Sequence, residues 1–171
     1  MKNKILVVLT IMALASVGVV QAAPPGPTIV DVAIAVNSEG PYEGEFDILI
    51  AAVLAADPAV LNTLSGNGQF TVFAPTDDAF VDLLGELDIT AEDLLENQQL
   101  VTQVLLYHVV RGRIYSEDVL EKNIIRTLQG GFLFQDGGTL TDNNDRGSNI
   151  IITDVEAANG IIHVIDAVVL H

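Results

Sequence analysis

Two adjacent carboxylates, Asp77 and Asp78, sit where the apolar run "FTVFAPT" (residues 70–76) gives way to a helical pattern. Paired acids at the end of a strand can serve as general acid and base or hold a metal, so their placement bears on whether the chain is an enzyme. Thr76, just before them, has the residue type and position of an N-cap, with a hydroxyl able to accept from a first-turn backbone N–H. Acids in that first turn lie at the positive end of the helix dipole, worth ~0.3–1 kcal/mol each when exposed. Side chains at i and i+1 of a helix diverge by about 100°, so the two carboxylates do not converge on one substrate. Structural roles for Thr76, Asp77 and Asp78 outrank a catalytic or metal pair.

The chain has three histidines. His108 ends an apolar helical face made by Leu100, Val101, Val104 and Leu105. Burial with a backbone hydrogen bond is expected there, because a dry, unpaired polar group costs ~1–3 kcal/mol. In "GIIHVIDAVV" (160–169), strand alternation sets Ile161, His163 and Ile165 on one face and Ile162, Val164, Asp166 and Val168 on the other. Both faces are mostly apolar, so the strand is expected to be covered on both sides, with His163 and Asp166 pointing apart rather than forming a dyad. His171 is terminal. "TDNNDRGSN" (141–149) matches part of a calcium loop at Asp142, Asn144 and Gly147, but Arg146 stands where an oxygen ligand belongs and no bidentate glutamate follows. A polar hairpin turn is expected, with no metal. Without cysteine, G-x-S-x-G, H-E-x-x-H, P-loop or G-x-G-x-x-G, the sequence calls for no cofactor and no catalysis. A hydrolase whose residues converge only in space is the weakest alternative.

The elements that must position these groups run from helices to strands. "FDILIAAVLAAD" (46–57) places Phe46, Leu49, Ile50, Val53 and Leu54 at helical spacing, with acids only near its ends. Asp57-Pro58 stops that helix and suits the cap and first position of the next, which carries Leu61 and Leu64. Thr76 opens a third helix with Ala79, Phe80, Leu83 and Leu84 as its buried stripe, and "TAED" at Thr90 has the form of a capping box for a fourth. Residues 97–108 make a fifth, while "TIVDVAIAV" (28–36) fits a short helix or a strand equally well. Between them lies "NSEGPYEGE" (37–45), an acidic loop with an exposed-looking Tyr42. Beyond Val109 the texture is strand and turn, with no helix expected. Helices crowd the first two-thirds and strands the last third, the segregated pattern of the α+β class, in a single domain without internal repeats.

The first residues, "MKNKILVVLTIMALASVGVVQAA", have the order of a secretory signal: lysines, an apolar stretch, then small residues that favour cleavage near Ala22. The apolar stretch is short for a membrane span and no cationic stop-transfer cluster follows, so no stable membrane insertion is expected after cleavage. The domain plan is therefore a signal at 1–22, a stiff "PPGP" leader at 23–27 with nothing to pack against, and one domain at 28–171. The product is expected to be secreted, extracellular or periplasmic. With no cysteine there is neither a lipidation site nor a disulfide framework. Seven basic and 23 acidic residues give −16, and loss of Lys2 and Lys4 with the signal gives −18. So anionic a surface repels nucleic acid and anionic membranes and favours solubility or life in salt.

Three blocks carry a family resemblance: "FTVFAPTDDAF" (70–80), "LLYHVVRG" (105–112) and "NGIIHVIDAVVL" (159–170), with "TLQGG" (127–131) as a weaker fourth. In order and spacing they resemble a fasciclin (FAS1) domain across nearly the whole chain after the signal. The resemblance implies an α+β FAS1 fold, a strand wedge or sandwich packed against a group of helices, and a secreted or surface protein that binds rather than catalyses. It implies a cell-surface or extracellular-matrix protein or polysaccharide as partner, with Tyr107 and His108 lining or supporting an adhesion surface. Asp154 and Val155 match the family's aspartate-isoleucine adhesion motif in part, valine standing for isoleucine; read locally, they are a strand end before a turn. The 37–45 loop is longer than the family commonly carries. A carrier holding a small hydrophobic ligand, a lipid or a pigment, in a cleft between helices and strands is the alternative.

Overall fold

The computed structural model describes residues 24–171; the expected signal, residues 1–22, and Ala23 lie outside them. Helices α1 (Ile29–Ser38), α2 (Asp47–Ala55) and α3 (Pro58–Leu64) come first, followed by strand β1 (Phe70–Pro75). Then come α4 (Asp77–Leu87), α5 (Ala91–Glu96), α6 (Gln98–Tyr107), β2 (Val109–Arg111) and α7 (Ser116–Glu121). The chain ends with β3 (Ile124–Arg126), β4 (Phe132–Asp136), β5 (Thr139–Thr141), β6 (Gly147–Ala157) and β7 (Gly160–Ile165). The ambiguous 28–36 segment is thus helical, closed by a capping box in which the Thr28 hydroxyl accepts from Asp31 N–H and the Asp31 carboxylate accepts from Thr28 N–H. Thr90 and Asp93 build the same reciprocal cap on α5.

Seven strands form one sheet in the order β2-β1-β7-β6-β5-β4-β3. β1 and β7 run parallel, from Phe70↔Gly160 to Pro75↔Ile165, and the other pairs are antiparallel. The two ends of the sheet curl toward each other and touch at the Val110↔Thr127 bridge, beside a 2.7 Å bond from Leu128 N–H to Val109 O. β1 and β7 are buried along their whole length. One of their faces meets the helices in the larger core, with Val72, Ala74, Ile162 and Val164 against Leu49, Phe80, Leu83 and Val104. The other closes a second core inside the curl, where Phe73 and Ile165 meet Tyr107, Ile125, Leu133 and Leu140. This is the α+β wedge-and-helix architecture, with the covered strands that continuous apolar runs demand.

Several local expectations fail. Leu54 of α2 is 68% exposed and Ala52 takes the buried place. Tyr42 is not exposed but packs, partly buried, on the larger core. α7 is a helix where only strand and turn were expected. The leader does have a contact, because Pro27 O accepts from Ala158 N–H at 2.8 Å. Among the described residues no single helix is long and apolar enough to cross a membrane.

Candidate functional site

The paired acids open α4. Thr76 Oγ1 accepts from Ala79 N–H at 3.4 Å, and Asp78 points to solvent. Asp77 does something its own helix does not require. The N-cap of α2 is Phe46, a residue with no side-chain acceptor, and the Asp77 carboxylate supplies the cap, taking Asp47 N–H at 3.1 Å and Ile48 N–H at 2.9 Å. Burial pushes the Asp77 carboxyl above its ordinary pKa, Asp47 and Asp78 add repulsion, and the two N–H bonds pull the other way. Asp77 N–H in turn donates to Glu45 O at 2.8 Å, pinning the end of the 37–45 loop to α4.

Tyr107 and His108 are both buried where α6 passes into β2. The Tyr107 hydroxyl donates to Phe132 O at 2.7 Å, and its ring meets the His171 ring edge-on at 5.8 Å. His108 Nε2 accepts from Val169 N–H at 3.2 Å, so the ring proton sits on Nδ1 and is donated to Val104 O at 2.8 Å. Burial drives the His108 pKa down to about 4, and the ring stays neutral at physiological pH. Between them the two side chains tie α6, β4 and the C-terminal tail together.

Asp154 is not at a strand end. It lies within β6 at φ 60°, in the irregularity between Ile152 and Val155 where the register with β7 shifts. That bulge turns the Asp154 carboxylate onto the start of α7, whose N-cap Tyr115 offers no acceptor. Ser116 N–H donates to it at 2.8 Å and the Ser116 hydroxyl at 2.5 Å. Desolvation raises the Asp154 pKa, but these two bonds and nearby His163 outweigh it and hold the carboxyl below its ordinary value. Asp154 N–H donates to His163 Nδ1 at 3.2 Å, so His163 carries its proton on Nε2, which donates to Ile114 O at 2.9 Å. The His163 ring stacks on Phe73 at 5.6 Å, and burial lowers its pKa. Val155 packs against the larger core. Asp166, past the end of β7, accepts from Asn149 N–H at 2.7 Å and Asn149 Nδ2 at 2.9 Å and does not meet His163.

The two histidines therefore belong to separate networks that meet on β1, where Phe73 stacks on His163 while its N–H donates to His108 O at 2.9 Å. Each ring nitrogen of both histidines already has a backbone partner. Among the described residues no group of three His, Cys, Asp or Glu could hold a metal. In the 141–149 hairpin, Asp142 Oδ1 accepts from Asn144 and Arg146 N–H and Oδ2 from Leu170 N–H, bonds of 2.7, 3.0 and 2.8 Å.

Sequence reasoning missed Asn159. Buried at the β6–β7 turn, it accepts from Ile29 N–H at 2.7 Å and donates to Leu64 O at 2.6 Å and Gly66 O at 2.9 Å. Its neighbour Gly160 lies so close to β1 that a Cβ would stand 2.1 Å from Phe70 O. "NG" inside a matched block was the available signal; it reads as a turn when it is a clamp between β7, α1 and α3.

A family model described as the Fasciclin domain matches residues 44–171. Protein sll1483 of Synechocystis sp. is 42% identical over 130 residues, 73% of this chain and 67% of that protein. Protein sll1735 of the same organism is 35% identical over 145 residues, 84% of this chain and 98% of that protein. A solved FAS1 domain pair from the insect cell adhesion molecule fasciclin I superposes with a TM-score of 0.60 at 18% identity, covering 85% of this chain and 51% of the pair.

Proposed function

The chain belongs to the Fasciclin domain family, and on that premise we propose that it is an exported adhesion or matrix-interaction module, acting by surface binding and carrying out no reaction. One observation carries the reading. The groups that could do chemistry, Asp77, His108, Asp154 and His163, all hold backbone or serine donors and acceptors inside the fold. A fold that invests its polar core in rigidity suits a scaffold that presents loops to a partner. In this reading Tyr107, His108, Asp154 and Val155 keep the surface in shape, and the exposed residues of the 37–45 loop and the 135–149 hairpin region face outward. The FAS1 pair with the same fold comes from a cell adhesion molecule, which supports the class of role. The partner is a cell-surface or extracellular-matrix protein or polysaccharide.

The test is a pull-down of the purified protein against its own cell envelope and matrix, analysed for macromolecules and small molecules. A specific macromolecular partner establishes the reading; its absence, with turnover of an envelope substrate, defeats it.

A second reading is favoured by cavities under α1. Two apolar spaces of about 70 and 220 Å³ share Ala33, Leu49, Ala74 and Ile162 as walls. α1 itself is apolar nearly all round, yet only Ile29 of it is buried. Dry apolar cavities of about 150 Å³ bind single-ring ligands, so a small apolar molecule fits beneath this helix and a whole lipid does not. Mass spectrometry of an organic extract of the purified protein tests it, and an extract without any apolar ligand counts against a carrier.

A further inference from the structure

Basic side chains are scarce here, and those the fold does not use lie together. Arg146 is paired with Glu86 at 2.6 Å, and Arg113 donates to the carbonyls of Ala157 and Gly160. Lys2 and Lys4 lie outside the described residues. That leaves Arg111, Lys122 and Arg126, which are exposed and make no ion pair among the described residues. All three line one groove of about 490 Å³. It opens where the curled sheet fails to close, between β2 and β3 beside the Val110↔Thr127 bridge. Val110, Ile114 and Ile125 form its apolar walls, and among the described residues no carboxylate lines it.

Edge strands commonly carry charge, lysine above all, to block unwanted pairing, but here the two edge-strand cations are arginines, Lys122 lies outside both strands, and acids outnumber bases 23 to seven in this chain. Three cations gathered around an acid-free groove are selected for sign, and the sign selects an anion. Next to the groove, across β3, Ile124 stands opposite Phe134 and Arg126 opposite Phe132, so the four share one face. Ile124, Phe132 and Phe134 are 55%, 44% and 44% exposed. Guanidinium forks hold carboxylate and sulfate in two-point contacts, and exposed phenyl and aliphatic faces pack against the C–H face of a pyranose ring. We propose that the β2–β3 groove binds acidic sugar units of an extracellular polysaccharide, with carboxylates or sulfates on Arg111, Lys122 and Arg126 and a ring on the Phe132–Phe134 face. The anionic remainder of the surface repels a uniformly charged polymer, while screening over ~8 Å shields the groove itself. A long polymer charged at every unit is thereby disfavoured, and a short run of acidic sugars, whose charge stays within the groove, is the ligand that fits. This inference rests on the surface-binding reading above and names its partner class.

The experiment is calorimetric titration of the purified protein with short oligogalacturonate, a neutral oligoglucose of equal length and an oligoglutamate of equal charge, at low and high salt. Oligogalacturonate should bind, weaken as salt rises, and lose about tenfold or more in affinity with Arg111→Ala or Arg126→Ala. Arg146→Ala, which removes the same charge from a paired site, should leave binding unchanged, and unfolding midpoints of all three variants check the fold. Lack of oligogalacturonate binding, an equal loss with Arg146→Ala, or equal binding of the neutral sugar overturns the proposal. Equal or tighter binding of oligoglutamate overturns it in favour of an acidic peptide. If the groove variants still capture the wild-type envelope partner, the groove is wrong and the surface-binding reading stands.

Discussion

Acidification should destabilise this protein through His108 as pH falls from 6.5 toward 4. The ring is sealed in the core, donating from Nδ1 to Val104 O and accepting at Nε2 from Val169 N–H. A second proton has to go on Nε2, where it faces another N–H and finds no acceptor. The folded-state pKa is about 4 against an ordinary 6.5. Between those values the unfolded chain binds a proton that the folded chain refuses, so stability is intact above pH 6.5 and falls as pH drops toward 4. At 1.36 kcal/mol per unit, the loss is about 2 kcal/mol at pH 5 and about 3 kcal/mol at pH 4. His163, also lowered by burial, acts in the same direction, while neutralising part of the −16 charge relieves self-repulsion and opposes both. The assay is therefore a difference: urea unfolding free energies of wild type and His108→Gln from pH 8 to 4. The variant starts less stable, and the gap should narrow by about 3 kcal/mol at the acid end. An NMR titration of the wild type supplies the direct check, with the His108 ring still neutral at pH 5.5. Parallel stability curves, or a His108 ring titrating near its ordinary value, refute the reasoning.

Three further outcomes follow from contacts. Gly160→Ala forces backbone apart at the Phe70↔Gly160 pair, where its Cβ would stand 2.1 Å from Phe70 O, and should cost about 3 kcal/mol in denaturant unfolding. Asn159→Ala strands the Ile29 N–H and Leu64 O, both buried, and should cost about 1–3 kcal/mol for each group left dry, lowering the unfolding midpoint accordingly. Asp154→Ala removes the α7 cap and places alanine at φ 60°; it should cost about 2 kcal/mol, and Asp154→Asn, which tolerates that backbone and keeps one acceptor, about half as much. Equal unfolding midpoints for those two variants would refute the strain component.

What the sequence reveals here is set by the range of the interaction. Thr28, Thr76 and Thr90 cap their own helices from three residues away, and the apolar stripe of α4 is legible because its period is local. α7 is not legible: it has six residues, one buried side chain and no capping residue of its own, and its acceptor comes from Asp154, 38 positions downstream. α2 was legible by pattern, but its cap was not, because Asp77 is 29 and 30 positions away. Leu54 shows the opposite error. It fits the helical spacing of the buried residues, yet it is 68% exposed while Ala52 is buried.

Residue type misleads for the same reason. A carboxylate that caps a distant helix and a carboxylate that binds a partner are the same letter in a string, and Asp154 is offered as an adhesive residue by its motif while its oxygens are occupied by Ser116. The distinction lies in whether a donor already stands within hydrogen-bond distance, which only the fold decides. Applied to anions, that criterion turns Asp77, Asp142 and Asp154 inward, each holding two or more donors. Applied to cations, it leaves Arg111, Lys122 and Arg126 without an ion-pair partner among the described residues, on one groove. In a chain so rich in acids, three exposed cations that pair with none of them among the described residues, gathered on one concave surface, are the observation on which the polysaccharide proposal rests.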